Sequence, residues 1–160
     1  MIRRYAAHYV FPGNTAPVKN GIVEVDNGVV VNLFGKARFR EMANMEFFNG
    51  IICPSLEPVF TGVELELLLD KVPELSAFRH LFAGEPFEWL KAISLNFKLP
   101  LDQLLYLFCY KIAVTFDRLN SCGTLEPGKQ PGISVIDNVD FNTMRLQKNS
   151  RMTLVTCMLS

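Results

Sequence analysis

The order of the hydrophobic patterns along the chain limits its fold more than any other sequence feature. Apolar residues alternate in much of the segment up to residue 53, recur at three- and four-residue spacing between residues 63 and 117, and alternate again after residue 132. Alternation is typical of half-buried strands, and the wider spacing is typical of helices. Strands from both chain ends, with helices between them, predict an α+β fold.

The N-terminal block predicts an extended segment, a hairpin and one more strand. Residues 2–11 are extended, and residues 21–25 and 29–34 flank an Asp-Asn-Gly turn at residues 26–28. These turn residues tolerate the positive φ angles of a tight hairpin. Residues 47–53 form the next predicted strand, which ends at a proline.

Proline and glycine divide the middle block into three or four short helices. The breaks are at Pro73, at residues 84–86 and at residues 99–100. The last helix has apolar residues on nearly every side, so we expect it to pack against more than one neighbour. One face comprises Leu101, Leu104, Leu105, Phe108, Ile112 and Phe116, and the other Tyr106, Leu107, Tyr110 and Val114.

The C-terminal block is rich in turns up to residue 132 and then predicts strands over residues 133–137 and 153–157. A length of 160 residues corresponds to one domain. We divide it into N-terminal strands (1–54), a helical segment (63–118) and C-terminal strands (123–160).

Composition excludes several classes of function. Sixteen basic residues balance 16 acidic ones, so the chain lacks the positive field of a nucleic-acid binder. No apolar run approaches the roughly 20 residues of a membrane span, and the N-terminus does not resemble a signal peptide. The four cysteines form no C-x-x-C pair, which favours a reducing cytoplasm as the location.

Residues 123–130, Gly-Thr-Leu-Glu-Pro-Gly-Lys-Gln, differ from a phosphate-binding loop only at the last position. That position normally carries the Ser or Thr hydroxyl that binds Mg²⁺. The loop also requires a preceding strand and a following helix, whereas here a helix precedes and Pro131, Gly132 and a strand follow. We therefore interpret the segment as a structural turn.

The other reactive side chains show no catalytic or metal-binding pattern. His8 and His80 lie in different blocks, without the spacing of zinc ligands. We interpret Cys109 as an inert core thiol and expect Cys122, in a loop, to be exposed. An acidic series is interpreted as a solvated helix face; it comprises Glu57, Glu64, Glu66, Asp70 and Glu74.

Several segments together resemble the amidohydrolase superfamily of metal-dependent hydrolases, in its cytosine-deaminase-like and chlorohydrolase-like branch. Residues 20–31 resemble the family's first hairpin, and residues 48–54 the strand that leads into its metal motif. Residues 99–105 resemble its final helix. Residues 123–137 resemble the Gly-Ser-Leu-Glu-x-Gly-Lys turn and strand that follow that helix, and this is the most specific match.

The resemblance implies a composite β-sandwich built from both chain ends, but no catalytic site. Only 68 residues separate Pro54 from Gly123, whereas the family's (β/α)₈ barrel needs roughly 200 or more. Aligning Pro54 with the family's proline places Phe60 and Gly62 where the two histidines of the His-x-His metal motif would stand. No catalytic, cofactor-binding or metal-binding residue is therefore carried over, and we expect no cofactor.

We thus expect an α+β fold: a composite antiparallel β-sandwich with a central layer of three or four helices in place of the barrel. The expected function is that of a non-catalytic, degenerate amidohydrolase-like interaction or regulatory module in a bacterial-type cytoplasm, with a homo-oligomer or another protein as its partner. Two alternatives stay open. One is a small hydrolase or ligand-binding protein that acts on a C–N bond in a rebuilt pocket, and the other is an accessory chain that completes a separate barrel.

Overall fold

The computed structural model describes residues 1–36 and 42–156, and the chain has the expected α+β fold. Its six described strands form one mixed sheet in the order β3-β2-β1-β4-β5-β6. The strands are β1 (Ile2–Val10), β2 (Val18–Asp26), β3 (Val29–Gly35), β4 (Met45–Pro54), β5 (Ile133–Asp140) and β6 (Arg145–Thr156). Strands from the two chain ends meet where β4 pairs with β5, so the sheet is composite, as predicted.

The helices come from the middle of the chain and cover one face of the sheet. The predicted breaks are confirmed, because helices begin at Pro73, Pro86 and Leu101. The helical elements are α1 (Glu57–Phe60), α2 (Leu65–Lys71), a 3₁₀ helix (Pro73–Leu81), α3 (Pro86–Phe97), α4 (Leu101–Leu105), a π-helical segment (Tyr106–Lys111) and α5 (Ile112–Thr115). The short α1 helix was not expected from the sequence. Within the described ranges, no helix is long and apolar enough to cross a membrane.

The sheet differs from the expected antiparallel sandwich in its topology. All six strands belong to one sheet, and β1 pairs with β4 in parallel while every other neighbouring pair is antiparallel. The β2–β3 hairpin pairs with one edge of β1, which leaves the other edge of β1 free for β4. Pairing of β4 there joins the hairpin and the C-terminal strands into a single sheet.

The two faces of the sheet bury separate apolar clusters. The larger cluster lies between the sheet and the helices and includes Phe11, Ile51 and Phe108. The smaller one lies on the opposite face and spans four neighbouring strands, with Val23 on β2, Ala7 on β1, Ile52 on β4 and Val135 on β5.

Two predicted elements differ from the observed ones. Strand β6 begins at Arg145, eight residues before the predicted start at residue 153, and Cys157 lies outside the described residues. On the second face of the last helix, Leu107 and Tyr110 are half-buried, whereas Tyr106 and Val114 are 46% and 47% exposed. The expected packing on more than one side is therefore wrong at these two positions.

Candidate functional site

The segment that resembles a phosphate-binding loop forms the turn that the sequence predicts. Lys129 Nζ donates a hydrogen bond to Thr124 Oγ1 at 2.7 Å and lies 3.5 Å from a Glu126 carboxylate oxygen. The backbone N–H of Gly128 donates to the Val30 carbonyl, and the Val30 N–H donates to the Lys129 carbonyl. A phosphate-binding loop instead presents its lysine and its amides to the ligand. Here the lysine side chain bonds within the segment, and backbone groups of residues 128 and 129 attach the segment to β3.

The three described cysteines are buried in the larger cluster. The interpretation of Cys109 as a core thiol is confirmed, since it is 0% exposed. The expected exposure of Cys122 is wrong, because only 1% of its surface is accessible. Gly123 has no side chain and therefore approaches the Cys109 carbonyl closely, which draws the neighbouring Cys122 into the core.

Burial also makes these thiols poor nucleophiles. Desolvation of the thiolate raises the pKa of Cys53 to about 12, and it raises the pKa of Cys109 well above the usual range. Burial raises the pKa of Cys122 as well. Since the thiolate is the reactive form, all three cysteines are protonated at neutral pH.

We expect the described thiols to be inert towards a thiol reagent in the native chain. In a Cys157→Ser variant, Ellman's reagent at pH 8 should react with Cys53, Cys109 and Cys122 only as fast as the chain unfolds. In denaturant, all three thiols should react rapidly with the reagent. Rapid labelling of Cys122 under native conditions, identified by mass spectrometry, would contradict its burial and its raised pKa.

Neither histidine is hydrogen-bonded to a cysteine among the described residues. His8 Nε2 is 3.0 Å from the Asn49 amide oxygen on β4, and the His8 ring contacts Phe141 at a centroid distance of 5.0 Å. His80 is exposed on the 3₁₀ helix. Cys122 Sγ donates to the Arg118 carbonyl at 3.5 Å, and no hydrogen bond among the described residues joins it to His80. A Cys–His catalytic pair therefore has no support in the hydrogen bonds.

The acidic series is exposed, as predicted, but its residues lie on several elements rather than on one helix face. Glu66 forms an ion pair with Arg79, and Glu74 forms one with Lys111. The hydrogen bond from Lys111 is the main cause of a lowered Glu74 pKa. These pairs connect α2 to the 3₁₀ helix and the 3₁₀ helix to the π-helical segment.

The positions aligned with the family's metal histidines have no metal chemistry. Phe60 packs its ring 5.7 Å from that of Phe108, and Gly62 lies in a turn with open space around it. Among residues 1–36 and 42–156, no group of three or more His, Cys, Asp or Glu side chains is placed to hold a metal ion.

A cleft of about 630 Å³ lies beside the sheet. Its floor contains Ser134 on β5 and Leu154 on β6, its first wall is α1, and its second wall is the start of α3. Sequence patterns did not predict this cleft. Its residues come from segments that are distant in the chain. The cleft forms where the helices leave part of the sheet uncovered, which short-range patterns do not indicate.

A second cavity, of about 660 Å³, lies by the opposite face of the sheet near Phe48 and Asn138. No histidine, cysteine or basic residue contributes to the described lining of either cavity.

No protein-family profile and no curated protein matches the sequence of this chain.

Proposed function

We propose that this chain is a non-catalytic, amidohydrolase-like interaction module of a bacterial-type cytoplasm that associates with a second copy of itself through the outer edge of β6. The segments that resemble the family support the relationship, because they lie in β2–β3, in β4, around α4, and in the turn before β5. The buried thiols and separated histidines support a role without catalysis, and free buried cysteines support a reducing compartment.

The observation that carries this proposal is the position of β6 at the edge of the sheet. It is the longest described strand, with 12 residues, and in the described part of the chain only β5 pairs with it. A long exposed edge presents backbone groups that a further strand can pair with. The opposite edge strand, β3, is partly covered, because Val30 bonds to residues 128 and 129.

Only the second half of β6 offers such an edge. In its first half, Ser94 Oγ of α3 accepts the Leu146 N–H, and Lys91 Nζ donates to the carbonyls of Lys148 and Ser150. Later in the strand, the Arg151 N–H points towards β5, where it donates to Asp137 Oδ1. Successive N–H groups of a strand alternate in direction, so those of residues 152 and 154 point away from β5.

Two copies would satisfy these outward groups by pairing their β6 strands in an antiparallel manner. Such an interface is symmetric, as in most homodimers, and it would join the two sheets into one. The exposed side chains of Thr153 and Leu154 would then gain apolar and cross-strand contacts.

Analytical ultracentrifugation of the full chain and its variants tests this proposal. We expect a dimer, and we expect Thr153→Lys to raise the dimer dissociation constant by about tenfold, because two lysines would face each other across the new pairing. Val31→Lys on β3 is the matched control, since Val31 is also exposed on an edge strand, and it should leave the dimer intact. A monomeric wild-type chain, or a dimer that only Val31→Lys dissociates, would refute the proposal.

A further inference from the structure

We propose that the cleft between α1, α3 and the sheet binds a small organic cation. This ligand is an amine attached to an aromatic ring system that also carries an oxygen able to accept a hydrogen bond. This site goes beyond the proposed self-association and does not depend on it. The volume of about 630 Å³ lies within the range of about 300–1,000 Å³ that is usual for small-molecule pockets.

Carboxylates supply the charge selectivity of the cleft. Glu57 lies on one wall, and Glu85 and Glu88 lie on the other, whereas the described lining contains no Lys, Arg or His. Glu88 has a cationic neighbour, since Lys91 Nζ is 3.6 Å from its carboxylate. Glu57 and Glu85 have no ion-pair partner among the described residues, so their charge is available to a ligand.

Aromatic rings supply the apolar surface. Phe60, Phe87 and Trp89 line the cleft, and the rings of Phe60 and Trp89 meet edge to face at a centroid distance of 5.6 Å. A cation within about 6 Å of an aromatic face is attracted by the ring quadrupole. The chain already uses this interaction beside the cleft, because Lys91 Nζ lies 5.7 Å from the centroid of the Phe87 ring.

Two buried hydroxyl groups on the cleft floor share one hydrogen bond. Ser55 and Ser134 are each only 3% exposed, and their hydroxyl oxygens are 2.8 Å apart. Each hydroxyl has one hydrogen, and the bond between them uses one of the two. The other hydrogen has no acceptor among the described residues. A ligand oxygen that reaches the floor would accept it, which gives the site its second polar contact.

Calorimetric titration with four related indoles tests both polar contacts. 5-Methoxytryptamine carries the amine and the oxygen, tryptamine lacks the oxygen, 5-methoxytryptophol lacks the charge, and 5-methoxyindole-3-acetate reverses it. We expect 5-methoxytryptamine to bind most tightly, the neutral analogue to bind about fivefold more weakly, and the anion to bind most weakly. No saturable binding of the amine, or equal affinity for the anion, would overturn the proposal.

Paired substitutions then assign the two contacts to residues. The double variant Glu57→Gln/Glu85→Gln should bind 5-methoxytryptamine no better than the neutral analogue, whereas Glu64→Gln, outside the cleft and exposed, should bind it like the wild type. The double variant Ser55→Ala/Ser134→Ala should abolish the preference for 5-methoxytryptamine over tryptamine. Circular dichroism confirms that each variant is folded. A folded glutamine double variant with unchanged affinity for the amine would refute the assignment.

Discussion

Gly123→Ala is expected to lower the free energy of unfolding by about 3 kcal/mol or more, and thus the melting temperature by roughly 8 °C for a chain of this size. Gly123 has a φ of +90°, a conformation that costs other residues energy. A Cβ there would also lie 2.7 Å from Ala113 Cβ and 2.8 Å from the Cys109 carbonyl oxygen. The turn and the last helix would have to separate, which would open the core around Cys122.

Gly128→Ala is the matched control for this experiment. Gly128 has the same φ of +90°, but its Cβ would meet nothing within 4 Å. Gly128→Ala should therefore lower the free energy of unfolding only by the cost of the backbone strain, about 1–2 kcal/mol. Urea unfolding followed by circular dichroism measures both variants. Equal losses at the two sites would contradict the close approach of the turn to the last helix at Gly123.

Phe108→Ala is expected to lower the free energy of unfolding by about 3–5 kcal/mol, because it leaves a cavity in a close-packed core. Phe108 is 0% exposed and lies in the π-helical segment, with its ring 5.7 Å from that of Phe60. It belongs to the cluster that joins the helices to the sheet. The loss should appear as a lower urea midpoint with an unchanged slope of the transition.

Phe97→Ala is the control for this prediction. Phe97 also contacts another ring, that of Phe78, at a centroid distance of 4.8 Å, but it is 45% exposed. Truncating an exposed ring leaves little cavity, so we expect a loss of about 1 kcal/mol or less. A loss at Phe97 as large as that at Phe108 would mean that the outer helical surface is covered in solution. That result would point to a second interface, separate from the edge of β6.

Local patterns were sufficient to predict most elements. The alternation on either side of the Asp-Asn-Gly turn predicted the β2–β3 hairpin, and Pro73 and Pro86 marked the starts of helical elements correctly. These features depend on residues that are close in the chain, so their physical cause is visible in the sequence. The early part of β6 was missed because its polar, exposed residues 147–149 interrupt the alternation.

The candidate site was far less predictable. Cys122 lies in a turn, and nothing near it in the sequence indicates that the Cys109 carbonyl and Ala113 pack against Gly123. Likewise, Ser55 and Ser134 share a hydrogen bond although 79 positions separate them. Histidines, cysteines and known motifs are visible in the sequence, whereas the two serines owe their importance to burial, which is not.

The sequence by itself determined the α+β class, the hairpin, the helical breaks and the origin of the sheet from both chain ends, because periodicity and turn residues act over short distances. Only the tertiary structure decided the parallel pairing of β1 with β4, the burial of Cys122 and the cleft beside β6. Each of these depends on which distant segments meet when the two faces of the sheet bury their apolar residues.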